Sequence, residues 1–105
     1  MIMRSWRGSV NKNDADEYFA YLNKTGIREY QETNGNQGVY VLRKDEGDKT
    51  EFLLLSLWDS IESIKSFAGA EPGKAVFYTQ DEKYLIEFDN EVTHYDVLLS
   101  PDLTK

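Results

Sequence analysis

One antiparallel β-sheet covered by helices on a single face, an α+β fold, is what this 105-residue sequence predicts, and three observations carry the prediction. The first is Phe52-Leu53-Leu54-Leu55-Ser56-Leu57-Trp58, an apolar run with one hydroxyl. A strand with one wet face would alternate, so this run reads as a strand covered on both sides. The second is a pair of helical patterns: Ala15, Tyr18, Phe19 and Leu22, then Ile61, Ile64, Phe67 and Ala68. The third is a set of β-patterned segments at Ile2 to Val10, Gly38 to Arg43 and Val92 to Leu99.

Taken in order, the first strand places Ile2, Arg4, Trp6, Gly8 and Val10 on one face. Asn11-Lys12-Asn13 ends it. Asp14 with Glu17 has the spacing of a capping box, and Gly26 suits a left-handed helix end. Ile27 to Thr33 is expected to be irregular or extended, and Asn34-Gly35-Asn36 to turn. Gly38 to Arg43 is the second strand, Asp45 to Asp48 a hairpin loop, and Thr50 to Trp58 the third strand. Asp59 with Glu62 reads as a second capping box, opening a helix that ends at Gly69. Pro72 permits a short further helix carrying Ala75 to Tyr78. Tyr84 to Phe88 adds an extended piece before the last strand. The order β-α-β-β-α-β is the ferredoxin-like arrangement, in one domain over 1–99 with a polar tail over 100–105. One sheet face then lacks a cover. If it carries Leu53, Leu55 and Leu57, a second copy forming a dimeric α/β barrel is the simplest one.

Composition narrows the function. Seven Tyr, five Phe and two Trp are a heavy aromatic load for so short a chain, and self-association would help bury it. A net charge of −7 argues against a nucleic-acid partner. No apolar run is long enough to cross a membrane, and Met1 to Arg7 lacks a signal-peptide core, so a soluble, cytoplasmic protein is expected. With no Cys and one His, the usual zinc and iron–sulfur sites lack ligands, and no nucleotide loop is visible. Acidic residues gather at helix starts and loops, where capping and solvation account for them. No metal or cofactor is expected.

Four segments resemble the antibiotic biosynthesis monooxygenase family: Gly35 to Arg43, Leu55 to Ser60, Ile61 to Gly69, and Val92-Thr93-His94-Tyr95-Asp96-Val97. The resemblance runs from about Met1 to Val97. It implies a dimeric α/β barrel, and an activity drawn from oxygenases of polycyclic phenols and quinols that use neither metal nor flavin, heme degraders, or proteins of unassigned activity. Trp58 matches the family's strand-ending, pocket-lining tryptophan. The heme-degrading branch uses an asparagine on the first strand and a histidine on the second helical segment. Trp6 (or Ser5) and Phe77 (or Tyr78) stand in those places, which disfavours heme degradation.

The candidate catalytic residues are therefore His94, as a base for a phenol proton, and Trp58. Trp6, Phe67, Phe77 and Tyr78 are the candidate substrate-binding residues, lining a pocket between helices and sheet suited to a flat aromatic ligand. Each also has an ordinary structural explanation: core packing for the aromatics, a satisfied neutral imidazole for His94. Arg4, Arg7, Arg28 and Arg43 could counter an anion, although snorkelling and pairing with the excess acid on the surface explain them better. Two functions follow. One is a cofactor-independent monooxygenase of a phenol or quinol. The other is a non-catalytic, small-molecule-binding or stress-related dimer.

Overall fold

The computed structural model describes residues 1–101; of the expected polar tail, 102–105 lie outside the described residues. Five strands form one sheet. They are β1 (Ile2–Asn11), β2 (Asn36–Glu46), β3 (Lys49–Trp58), β4 (Leu85–Phe88) and β5 (Thr93–Asp96). The helices are α1 (Ala15–Lys24), α2 (Gly26–Glu32), α3 (Ile61–Ala68) and α4 (Asp81–Tyr84). The sheet order is β2-β3-β1-β4, with β5 also pairing β1, and all pairings are antiparallel. This is the ferredoxin-like arrangement, with its last strand position divided. β4 pairs with Gly8 to Val10 and β5 with Ile2 to Ser5. No helix among the described residues is long and apolar enough to cross a membrane.

Strand alternation sets the core. Phe52, Leu54, Ser56 and Trp58 of β3 are buried, and so are Arg4, Trp6, Gly8 and Val10 of β1. Their register pairs Trp6 with Leu54 and Gly8 with Phe52, so these side chains share the helix-covered face. Tyr18 and Leu22 of α1, Ile27 and Tyr30 of α2, and Ile64 of α3 complete the core. Tyr18 meets Phe52 edge-on at 5.4 Å between ring centroids, a favoured aromatic geometry. On the opposite face Leu53, Leu55 and Leu57 stay half-buried, while Tyr40 and Tyr95 are each 57% exposed.

Several local expectations need correction. The segment expected to be irregular or extended is helical as far as Glu32, with Thr33 alone extended: Ile27 and Tyr30, three apart, both bury against the sheet, and α2 begins directly at Gly26. Gly26 has no positive φ and ends nothing. Neither predicted capping box forms. Asp14 makes no side-chain cap bond, and α3 is capped by Ser60, whose hydroxyl accepts the Ser63 N–H at 3.2 Å. Asp59 instead accepts from the Ser60 and Ser63 hydroxyls at 3.0 and 2.5 Å. The segment after Pro72 is not helical through Ala75 to Tyr78. Bonds from Ala75 N–H to the Asn90 carbonyl (2.9 Å) and from Val92 N–H to the Gly73 carbonyl (2.8 Å) hold it extended across the sheet edge. Only Asp81–Tyr84 turns helical. The last strand is Thr93–Asp96, shorter than expected. The hairpin is tighter too: Glu46 pairs with Lys49 across Gly47-Asp48, and Gly47 supplies the φ of 58° that a two-residue turn needs.

Candidate functional site

Among the buried polar side chains on the helix-covered face of the sheet, Arg4 is the charged one. Arg4 is 2% exposed. Its Nη1 donates to the Tyr30 hydroxyl of α2 at 3.1 Å, and its Nη2 donates to the Lys74 carbonyl at 3.1 Å. The guanidinium carbon lies 5.3 Å from the centre of the Phe67 ring of α3, a cation–π contact worth roughly 0.5–2 kcal/mol. Arg4 thereby ties α2, α3 and the 69–80 connection to the sheet. Among the described residues no carboxylate pairs with it, and its buried Nε has no hydrogen-bond acceptor. A buried cation normally costs several kcal/mol unless paired. Neutral acceptors and a ring offset only part of that. Burial accordingly draws the Arg4 guanidinium below its usual value, with Tyr30 and Tyr78 opposing the shift. Arginine still remains charged. Burial also pushes the Tyr30 phenol up, so Tyr30 stays neutral.

Around Arg4 the walls are aromatic. Arg4, Trp6, Tyr30, Leu54, Phe67 and Tyr78 line a cavity of about 20 Å³, room for one water-sized group. Asp81 lines it as well, but both its oxygens are engaged, Oδ1 with the Tyr18 hydroxyl at 3.4 Å and Oδ2 with the Tyr78 N–H at 2.6 Å. Burial raises the Asp81 carboxyl, and those two donors oppose it. The Trp6 indole N–H donates to the Asp89 carbonyl at 2.9 Å. Its ring lies over Gly8, where a Cβ would come within 2.4 Å of the indole; only glycine leaves that space. The Tyr78 hydroxyl is hydrogen-bonded to Glu29, and burial followed by that carboxylate pushes the phenol well above its usual value.

Three of the predicted residues, Trp6, Phe67 and Tyr78, thus meet at one cavity. Trp58 stands one layer behind it. It is fully buried, its ring centre 5.9 Å from Phe67 and 6.0 Å from Tyr30, and its N–H donates to the Ser56 hydroxyl at 2.9 Å. Phe77 lies outside the cavity wall, edge-on to Trp6 at 6.4 Å and to Phe88 at 5.2 Å. There it helps line a surface groove of about 550 Å³. His94 is the cross-strand partner of Arg4, so both side chains lie on the helix-covered face of the sheet. The His94 Nε2 is buried without a partner among the described residues, and burial, then the Arg4 charge, lower the imidazole below 6.5. Arg4 and Tyr30 complete this site, and the sequence offered a signal for only one of them. Arg4 sits at an inward position of a strand, between Ile2 and Trp6.

No family model matches the sequence. No curated protein matches it either. Solved structures do. A Bacillus cereus protein provisionally named an antibiotic biosynthesis monooxygenase superposes with a TM-score of 0.66 at 18% identity, covering 94% of each chain. A Nitrosomonas europaea protein with the same provisional name gives 0.62 at 16% identity, over 94% of this chain and 100% of that one. The heme degrader MhuD from Mycobacterium tuberculosis, solved with two hemes in its active site, gives 0.62 at 15% identity, over 95% and 98%. The chain has the fold of the antibiotic biosynthesis monooxygenases.

Within that fold, heme finds few matching donors here. The 69–80 connection carries no histidine, and the Tyr78 hydroxyl is committed to Glu29. His94 is the chain's single histidine, and its Nε2 is enclosed on β5. The cavity of about 20 Å³ has no room for a porphyrin. Among the described residues no cluster of three or more His, Asp or Glu is placed to hold a metal ion.

Proposed function

We propose that the protein is a homodimeric, cofactor-independent monooxygenase acting on an aromatic phenol or quinol. The observation that carries this reading is the aromatic wall of Trp6, Tyr30, Phe67 and Tyr78 in the layer between helices and sheet, within a fold shared with proteins named as monooxygenases. An electron-rich phenol supplies its own electrons to oxygen, so the protein need only ionise it, hold it and keep water away. Neutral His94, held below its usual pKa, accepts the phenol proton at Nε2. Trp6, Phe67 and Tyr78 wall the cavity that takes the phenol oxygen, Phe77 flanks the ring in the groove outside, and Trp58 holds Phe67 and Tyr30 in place from behind. For a simple hydroquinone the balance is one quinol plus one O₂ giving one hydroxyquinone and one water. One oxygen atom enters the ring and the other leaves reduced.

The dimer reading rests on the uncovered sheet face. Leu55 lies between Tyr40 of β2 and Ser5 of β1, and Leu53 between Leu42 and Arg7. A second copy packed there would remove this apolar stripe from water.

One observation favours the second reading, a non-catalytic small-molecule-binding dimer. The interior cavity holds only a water-sized group, and the hydroxyls of Tyr18, Tyr30 and Tyr78 are already hydrogen-bonded. Oxygen-electrode traces with simple hydroquinones separate the two. The monooxygenase consumes oxygen faster than a heat-treated control; equal rates across a panel of quinols leave the binding reading.

A further inference from the structure

The cavity beside Arg4 and the groove beside Phe77 are two compartments with a common wall. The inner one takes a single water-sized group next to a guanidinium that lacks an anionic partner. The outer one, about 550 Å³, is lined by Phe77, Thr79, Glu82, Leu85, Phe88 and Asn90, and has room for a ring. Tyr78 and Asp81 line both. The Tyr78 side chain belongs to a segment without regular secondary structure and is anchored by its bond to Glu29. The volumes therefore divide a ligand into a polar atom inside and a flat body outside, joined past Tyr78.

We propose that Arg4 is the anchor for an anionic oxygen carried by an aromatic ligand, whose ring occupies the Phe77–Phe88 groove and which reaches Arg4 as Tyr78 swings aside. Arg4 holds two neutral acceptors, its Nε–H points at none, and His94, its cross-strand partner, carries a second buried nitrogen without a partner. An oxyanion is the one group that would satisfy the guanidinium in charge and in hydrogen bonding together. Aromatic carboxylates and phenolates share this chemistry. The proposal rests on the reading above only for the aromatic character of the ligand.

The test compares 1-naphthoate with the neutral 1-naphthamide, at 0.15 M salt where the chain's net charge of −7 is screened beyond about 8 Å. Naphthoate is expected to quench tryptophan fluorescence and to bind about tenfold tighter or more. Arg4→Met is expected to abolish the preference and Arg4→Lys to keep part of it. 4-Nitrophenol adds the phenolate arm: bound at Arg4, it turns yellow at a lower pH than it does free. Whichever oxyanion binds more tightly identifies the source, and either order supports the site. If Arg4→Met does not fold, the ¹⁵N-labelled native protein decides. Its Arg4 Nε–H signal should shift with naphthoate and not with naphthamide. Equal affinity for both naphthalenes, binding of neither, a preference that survives in Arg4→Met, or an unmoved Nε–H signal overturns the proposal. Absence of oxygen uptake with an intact anion preference overturns only the monooxygenase reading.

Discussion

Arg4 on β1 and His94 on β5 stand directly opposite each other across a strand pair, and each carries a buried nitrogen, Nε and Nε2, without a hydrogen-bond partner among the described residues. Two such atoms in one cross-strand pair are unusual, since buried donors and acceptors are nearly always satisfied. The pair also couples electrostatically. The fixed charge of Arg4 disfavours a second proton on the imidazole, adding to the larger effect of burial.

That coupling fixes a pH response. His94 is the chain's one histidine, so its ring-proton NMR signal can be followed without assignment. Its midpoint should fall below 6.5 and rise in Arg4→Met. Because the folded value is depressed, the unfolded chain binds more protons between the two values. Stability from this group is complete above 6.5 and is lost as the pH falls through the folded value. His94→Asn should flatten that part of the urea-midpoint profile. A midpoint at or above 6.5 would contradict the burial and charge described.

The parity of β3 separates assembly from folding. Leu55→Asp should leave the circular dichroism spectrum intact while light scattering reports a fall from twice the chain mass to one. Leu54→Ala, on the buried face, should instead cost about 2–5 kcal/mol of stability. A native protein that is monomeric at micromolar concentration would remove the barrel assembly.

Trp58 and Trp6 should respond differently to truncation. Trp58→Ala removes a fully buried indole and strips the Ser56 hydroxyl of a donor, a loss of about 3–5 kcal/mol in chemical denaturation. Gly8→Ala tests Trp6 without touching it. The new methyl collides with the indole, so the Trp6 emission should shift and aromatic ligands should bind more weakly.

Much of this architecture was legible in the sequence because β3 and β1 alternate cleanly. The inward set Phe52, Leu54, Ser56, Trp58 and the inward position of Trp6 follow from a period of two once one face is known. α2 was not legible, because Thr25-Gly26 reads as a stop and seven residues are too few to show a helical period. The division of the last strand was only half visible. The extended piece Tyr84 to Phe88 stands apart from the last strand in the sequence, but nothing in the pattern says that both pair with β1. At the site, Trp6, Phe67 and Tyr78 were found through aromatic placement. For Arg4 the sequence leaves an anion counter-charge beside the more ordinary surface cation, since charge predicts solvent. Its burial depends on β1 being central and on Tyr30, Lys74 and Phe67 arriving from three other segments. No local pattern encodes that convergence.

Turnover of a hydroquinone under ¹⁸O₂ directly measures oxygen insertion driven by the substrate's own electrons. The expected result is one ¹⁸O atom in the hydroxyquinone, the other in water, and no hydrogen peroxide above the protein-free rate. Unlabelled benzoquinone with stoichiometric peroxide, formed equally fast without protein, would contradict it.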